Sequence, residues 1–207
     1  MEAPRSGDPL ALPEAQWAAL EAAYATPPRA YHGWPHVQAV LQHFREVAAA
    51  GPGWVQPAEA WLAVLYHDAI YEAGRADNES RSAELARAHV AQWLPDAGVD
   101  ADRMSALILL TARHGQLTAG ELDADATLFL DCDMAILGAE PDVFDAYGRG
   151  NAAEYRGKVP GWLFRLNRRR FLKGLLARER VFLSDFFHAR LDAQARRNLR
   201  RAITRKQ

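Results

Sequence analysis

Apolar residues recur three or four positions apart along almost the whole chain, and this spacing limits the fold more than any other feature of the sequence. Positions three and four apart lie on one face of an α-helix, so the spacing is typical of amphipathic helices. No segment combines strict alternation of apolar and polar residues with flanking turn residues, which is the pattern of a half-buried strand. The chain has 207 residues, 49% of them apolar, which is enough for one core. We therefore predict an all-α, single-domain helical bundle over residues 1–207.

Prolines, glycines and capping residues divide this pattern into separate helices. Helices are expected to begin near Pro13, Pro35 and Pro57, at Asp77 or Asn78, and after Asp100, Pro141 and Pro160. The segment 61–71, WLAVLYHDAIY, is apolar on nearly every side, which indicates a central buried helix that contains His67 and Asp68. The segment 127–138, TLFLDCDMAILG, is predicted as a short buried helix that ends at Gly138. A basic segment after residue 160 is expected to run to residue 187, before a polar, arginine-rich tail.

Charge, cysteine content and hydropathy exclude several classes of protein. Acidic and basic residues nearly balance, at a net charge of -1, so the chain as a whole is not a polyanion binder. Cys132 is the only cysteine, which excludes an internal disulfide and a zinc site of clustered thiolates and fits a reducing compartment. The first residues lack a signal-peptide pattern, and no stretch approaches the ~18 uncharged apolar residues of a membrane span. We expect a cytoplasmic protein that does not contact a membrane.

The adjacent pair His67 and Asp68 stands inside the most apolar predicted helix. Burying an imidazole and a carboxylate is costly unless both find partners, and a bound cation supplies such a partner. For an isolated pair, the commoner arrangement is a core histidine bonded to a backbone carbonyl and an aspartate in a salt bridge. The pair therefore indicates a metal site only if other ligands accompany it.

Other candidate ligands occur on two further apolar helices. His32 and His36 are four residues apart, so in a helical turn they face the same way. Asp131 and Asp133 interrupt a second apolar run, where an ionised carboxylate again needs a cation or several donors. Residues two apart on a helix do not share a face, so only one of these two aspartates should reach a metal.

Five motifs occur in a characteristic order: YHGWPHV, LYHDAIYE, DNESRSAELA, TARHG and FLDCDMAILG. In this order they resemble the HD superfamily of metal-dependent phosphohydrolases, and more closely a bacterial branch of predicted HD phosphohydrolases. The resemblance implies an HD-type bundle with a metal-binding core over about 31–138, on which helices from 141–207 pack. It implies four metal ligands, namely His36, His67, Asp68 and Asp133.

Three further residues are possible ligands under this resemblance. Asp131 is an alternative to Asp133, while His32 and His114 are either ligands or hydrogen-bond partners of ligands. The branch is also expected to carry a basic residue before the pair matched by Glu154 and Tyr155, but here the preceding stretch reads GRGNAA. Contacts to substrate from that helix are therefore not carried over.

Two imidazoles and two carboxylates form a mixed nitrogen and oxygen site that suits manganese, iron, cobalt, nickel, zinc or magnesium. The resemblance then implies hydrolysis of a phosphate ester of a small molecule, such as a nucleotide or related metabolite. Asp68, Glu72 and Glu79 are the candidate catalytic residues, because each could accept or donate a proton. Asp77 and Glu79 could instead stabilise a helix N-terminus through the helix dipole. Arg113 and Lys158 are candidate donors to phosphoryl oxygens.

Three other functions remain as alternatives. His32 and His114 could complete a second metal position, as in a dinuclear HD-type iron oxygenase. The C-terminal arginines could form a nucleotide or nucleic-acid binding module, although interspersed acids favour a solvated helix face and make nucleic acid the weaker hypothesis. The metal could also be purely structural. Finally, Trp162, Phe186 and Phe187 could form a contact in a homo-oligomer if they share an exposed face.

Overall fold

The protein is built from α-helices joined by short loops. The computed structural model describes residues 8–204, and within that range it contains nine α-helices, three short 3-10 turns and no strand. The helices are α1 (Glu14–Ala25), α2 (Trp34–Ala50), α3 (Pro57–Tyr66), α4 (Asn78–Trp93), α5 (Ala101–Leu110), α6 (Ala124–Met134), α7 (Pro141–Glu154), α8 (Gly161–Ala177) and α9 (Asp185–Thr204). The 3-10 turns cover Thr111–Arg113, Ala119–Glu121 and Ala135–Gly138. The predicted all-α, single-domain fold is confirmed.

Helix α3 lies at the centre of the bundle, as predicted. Every residue from Glu59 to Tyr66 is buried, and the helix packs against α2, α4, α5 and α6. The prediction that this helix contains His67 and Asp68 is wrong, because α3 ends at Tyr66 and the pair forms the turn that follows. The side chain of Arg29 binds the carbonyl oxygens of Asp68 and Ala69, so these carbonyls do not need a continuing helix to accept their hydrogen bonds.

Two helix starts were predicted from capping residues, with different outcomes. Asp100 caps α5, because its side chain accepts a hydrogen bond from the backbone N–H of Arg103. Asp77 occupies the N-cap position of α4 but its side chain pairs with Arg75 instead. Asn78 bonds the backbone of Glu72, so it fixes the preceding loop. Helix α4 therefore begins where expected without a side-chain cap.

The C-terminal part differs from its prediction. The basic segment is interrupted after Ala177, and the expected polar tail forms α9, which packs on the turn at Ala135–Gly138 and on α8. The side chain of Asn198 on α9 donates to the carbonyl oxygens of Leu137 and Ala139, at 2.9 and 2.8 Å. These contacts join the C-terminal helices to the rest of the core.

The three aromatic residues proposed for an oligomer contact do not share an exposed face. Trp162 is 63% exposed, whereas Phe186 is half-buried and Phe187 is buried in the core. The condition for that contact is therefore not met, because the stripe on α9 that includes Phe187 packs inward. None of the helices between residues 8 and 204 combines the length and the apolar character that crossing a bilayer requires.

Candidate metal centre

Three separate segments bring the predicted ligands together. His36 lies in the first turn of α2, which Gly33 and Pro35 begin. His67 and Asp68 form the turn after α3, and Asp133 lies in the last turn of α6. We call His36, His67, Asp68 and Asp133 the His/Asp cluster. The packing of α2 against α3 and α6 brings these four residues together.

The ligand atoms of the His/Asp cluster face one another at short range. His36 Nε2 lies 3.0 Å from His67 Nε2 and 3.1 Å from Asp133 Oδ1, and His67 Nε2 lies 3.6 Å from the same oxygen. Within the described part of the chain, these three residues form a group whose ligand atoms all lie within 4.8 Å of one another. Asp68 Oδ2 lies 3.3 Å from His67 Nε2 and 3.5 Å from His36 Nε2.

This spacing fits a single cation. Imidazole nitrogens bind zinc-like metals at about 2.0–2.1 Å, so two ligand atoms at right angles lie about 3 Å apart, and at tetrahedral angles slightly more. The observed separations between nitrogen and oxygen atoms fall in this range. The donor set of imidazole and carboxylate suits divalent metals of intermediate softness. The cluster could therefore hold a divalent ion.

Comparisons of the chain with protein-family models, with curated proteins and with solved structures find no match.

The ring orientation of His67 favours ligation through Nε2. Its Nδ1–H donates to the carbonyl oxygen of Val64 at 2.8 Å, which leaves Nε2 directed at the cluster. Burial lowers the pKa of His67, but the charges of Asp68 and Asp133 outweigh burial and raise it to about 9. Burial also opposes ionisation of Asp68, yet attraction to His67 lowers the pKa of this carboxyl below its usual value. Both aspartates thus stay ionised and favour a positive charge at this point.

Asp133 and Asp131 have different partners, which decides between the two candidate ligands. The carboxylate of Asp131 accepts hydrogen bonds from the backbone N–H groups of Leu183 and Ser184 and from the Ser184 hydroxyl, at 2.7–2.8 Å. Asp131 therefore binds the segment that leads into α9 and does not face the His/Asp cluster. The geometry therefore favours Asp133 over Asp131 as the candidate ligand.

His114 contacts Asp133 and lies outside the group of close ligand atoms. Its Nε2 lies 2.7 Å from Asp133 Oδ2, while the other oxygen, Oδ1, faces His36. Burial raises the pKa of Asp133, but the charge of His67 and the hydrogen bond from His114 lower it well below its usual value. His114 therefore orients Asp133 through its second oxygen.

His32 lies at the edge of the cluster and is held by Glu154. Its Nδ1 is 2.6 Å from Glu154 Oε2, and Glu154 Oε1 accepts the backbone N–H groups of Tyr31 and His32. The His32 ring stacks on Tyr71, and its centroid is 5.8 Å from that of His36. Burial lowers the pKa of His32, but the hydrogen bond to Glu154 and the charge of Asp68 raise it overall.

Sequence reasoning missed the role of Glu154 and the reason for Gly150 before it. A Cβ atom on Gly150 would lie 2.9 Å from the carbonyl oxygen of Ala30 and 3.1 Å from Tyr31 Cβ. Glycine therefore lets α7 approach the loop before α2 closely enough for Glu154 to bind Tyr31 and His32. The stretch GRGNAA carried this signal, since a glycine inside a helix indicates close packing.

Arg29 was also missed, and nothing local in the sequence indicates its function. Its guanidinium donates hydrogen bonds to the carbonyl oxygens of Ala23, His32, Asp68 and Ala69. These bonds connect the loop before α2 to the turn that carries Asp68. Arg29 is therefore a positioning residue for the His/Asp cluster.

The remaining candidates lie outside the cluster. Glu72 is exposed, and its Oε1 lies 3.8 Å from Lys158 Nζ. Glu79 forms no hydrogen bond or ion pair with a cluster residue in the part of the chain that is described. Arg113 lines a small cavity together with His114. The structure thus brings the four predicted ligands together but places none of these three side chains in contact with them.

Proposed function

We propose that this protein is a metal-dependent phosphohydrolase of the HD type that cleaves a phosphate ester of a small molecule, such as a nucleotide or related metabolite. The observation that carries the proposal is the convergence of two imidazole nitrogens and two carboxylates in the His/Asp cluster. The two nitrogens lie 3.0 Å apart, and each carboxylate has an oxygen 3.1–3.6 Å from both of them. Three of the motifs that resemble the HD superfamily supply these four residues. The geometry and the resemblance therefore favour the same chemistry.

The residues His36, His67, Asp68 and Asp133 would hold the metal. When bound, a divalent cation would lower the pKa of a coordinated water and offset the negative charge on phosphoryl oxygens. His67 is oriented for this by Val64, and Asp133 by His114. Side chains that are already oriented need no rearrangement during the reaction, which is how such sites contribute to catalysis.

Asp68 and His32 are the side chains best placed to move protons. The Asp68 side chain is 17% exposed and stays ionised, so it can accept a proton from the water that attacks phosphorus. The raised pKa of His32 favours its protonated form, which can donate to the ester oxygen as the P–O bond breaks. One proton leaves the water and one reaches the leaving group, so the products are an alcohol and phosphate. Glu154 positions His32 for this step.

A single metal position is favoured over the dinuclear iron alternative. The described residues contain one group of at least three potential ligands with closely spaced ligand atoms, namely His36, His67 and Asp133. Asp68 lies outside that group but within 3.5 Å of both histidine nitrogens, whereas no hydrogen bond or ion pair among the described residues joins His32 or His114 to these nitrogens. Both of these histidines are engaged by a carboxylate, namely Glu154 and Asp133. A second ion would have to displace these contacts.

The first experiment measures metal content and hydrolysis together. Purified wild type and His67→Ala are compared by elemental mass spectrometry, and each is then assayed on a chromogenic phosphate ester and a panel of nucleotides with added manganese, cobalt, nickel or magnesium. We expect about one metal per chain in the wild type, loss of that metal in His67→Ala, and phosphate release only with metal. His43→Ala is the matched control, because His43 is a part-buried histidine that contacts Glu46 away from the cluster.

Each outcome has a defined consequence. Two irons per chain would support the oxygenase instead. Stoichiometric metal without hydrolysis of any ester would support a structural metal, and absence of metal from the wild type after reconstitution would overturn the proposal. Equal loss of metal in His43→Ala would also contradict it, because that result would reflect misfolding and not ligation.

A further inference from the structure

A cavity of about 1070 Å³ lies between α7, α8 and α9 and is open to solvent. Its lining contains none of the residues of the His/Asp cluster. Ligand sites for small molecules commonly measure about 300–1000 Å³, so the cavity can hold a molecule the size of a nucleotide. It is much larger than the small cavity beside His114.

The lining of this cavity is strongly basic. Four arginines, Arg149, Arg165, Arg168 and Arg169, contribute to it. None of the four pairs with a carboxylate among the described residues, and the acid in the lining, Asp145, accepts a hydrogen bond from Arg201. This differs from α9, where Arg196 and Arg201 both form ion pairs with acids. The guanidinium of Arg168 donates to Tyr147 and Asn151, which do not line the cavity. Those of Arg149, Arg165 and Arg169 have no such partner among the described residues, and three guanidinium groups together suit a multiply charged anion.

The same cavity presents exposed apolar surface. Trp162 is 63% exposed and Leu166 is 40% exposed, and both line it. Exposed large apolar side chains beside charged groups are typical of binding surfaces. An indole face can stack on a nucleobase whatever its identity. The ligand should therefore carry an aromatic part as well as several negative charges.

Arg168 connects the cavity to the neighbourhood of the His/Asp cluster. Its guanidinium lies over the ring of Tyr147 at 4.6 Å, and Tyr147 contacts Tyr31, whose ring centroid is 5.0 Å from that of His36. Two tyrosines thus separate the cavity from the cluster. The cavity is an adjacent but distinct site.

We propose that this cavity binds a nucleoside triphosphate, with the phosphates against the guanidinium groups of Arg149, Arg165 and Arg169 and the base against Trp162. Its bounded volume favours a small molecule over a nucleic-acid strand, which needs an extended basic track. This proposal does not depend on the hydrolase function, because no cluster residue takes part in it.

The test measures binding of adenosine triphosphate to the metal-free full-length protein, in the presence of a chelator, by calorimetry. We expect binding of one nucleotide per chain, at least tenfold weaker binding in Arg165→Gln/Arg169→Gln, and about tenfold weaker binding in Trp162→Ala. The matched control is Arg170→Gln/Lys173→Gln, which removes two positive charges from exposed positions of the same helix that do not line the cavity. This control should bind like wild type.

Several results would overturn the proposal. These are absence of binding at millimolar nucleotide, equal weakening in both double variants, and loss of binding in His67→Ala, which would place the nucleotide at the cluster. Inorganic tripolyphosphate that binds as tightly as the nucleotide would contradict the role of Trp162. A single-stranded RNA oligomer that binds far more tightly would indicate a nucleic-acid surface instead. Because no readout involves catalysis, an inactive hydrolase would leave this test unaffected.

Discussion

His36 Nε2 lies 3.0 Å from His67 Nε2, although 31 residues separate the two histidines in the chain. Two imidazole nitrogens at this distance must share a proton or a cation, because two lone pairs facing each other repel. Asp68 and Asp133 supply negative charge on the same centre. In the metal-free protein a proton takes that place, and its affinity can be measured.

The stability of the metal-free protein should fall as the pH rises above neutrality. The pKa of His67 is raised to about 9 in the folded chain, whereas an unfolded histidine has a pKa of about 6.5. A raised folded pKa gives stability that is fully present below about pH 6.5 and lost as the pH passes about 9, here roughly 3 kcal/mol. Denaturant unfolding of the chelator-treated protein at several pH values measures this loss. The loss should be absent in His67→Gln, and an identical slope in that variant would refute it.

Alanine substitution of Asp133 should reduce metal binding, whereas alanine substitution of Asp131 should reduce stability. Asp133→Ala removes a ligand, so metal content should fall to background while the helical circular dichroism is kept. Asp131→Ala leaves the buried N–H groups of Leu183 and Ser184 without acceptors, so the free energy of unfolding should fall by about 1–3 kcal/mol. Its metal content should match that of wild type. Retention of metal in Asp133→Ala together with loss in Asp131→Ala would reverse the assignment.

These two aspartates also show where sequence reasoning ends. Helical periodicity is local, so it predicted α3 and α6 and established that only one of Asp131 and Asp133 can face a metal. The choice between them depends on Ser184, which is 53 residues away from Asp131 and belongs to the start of α9. In the same way, the turn after Tyr66 depends on Arg29, 39 residues before Asp68. Contacts between residues so far apart in the chain produce no periodic pattern in the sequence, so periodicity cannot predict them.

Other differences could have been anticipated. The tail that forms α9 is rich in arginine, yet Phe187, Leu191, Ala195 and Leu199 recur every four residues and pack inward. That stripe is typical of an amphipathic helix. The many arginines of the segment led to the prediction of a polar tail instead. The residues of the His/Asp cluster were predictable because their types are costly to bury and because the motifs occur in a familiar order. The residues that orient the cluster, such as Arg29, could not be predicted in this way.

Removal of His114 should weaken metal binding without removing a ligand. His114 Nε2 lies 2.7 Å from Asp133 Oδ2, and loss of such an orienting partner typically costs about 10–100-fold in metal affinity. We expect a weakening of this size in His114→Ala, measured by competition with a chelating dye. His188→Ala is the control, since His188 Nδ1 lies 3.1 Å from Asp192 Oδ1 and outside the cluster. Equal affinity in wild type and His114→Ala would show that Asp133 is held by the fold alone.

Substitution of Arg29 should affect both stability and the cluster. Lysine keeps the charge but cannot bind four carbonyl oxygens at once, so Arg29→Lys should lower the free energy of unfolding by about 2–3 kcal/mol. Metal affinity should fall as well, because the turn that carries Asp68 loses two of these bonds. Arg87→Lys, at an exposed ion pair with Asp102, should change stability by less than about 1 kcal/mol. Similar effects in both variants would mean that Arg29 has no positioning role.

The contact between α9 and the turn after α6 can be tested with two glycines. A Cβ atom on Gly138 would lie 2.6 Å from Leu191 Cβ and 3.1 Å from the Leu191 carbonyl oxygen, so Gly138→Ala must push α9 away and should cost about 1–3 kcal/mol. Gly174 lies inside α8 with no atom within 4 Å of the added position, so Gly174→Ala should stabilise the protein by about 0.5–1 kcal/mol. Thermal and denaturant unfolding of the two variants measure this difference in sign. If Gly138→Ala is neutral, α9 does not pack on this turn in solution, and the support that Asn198 and Ser184 give to the core around the His/Asp cluster would be lost with it.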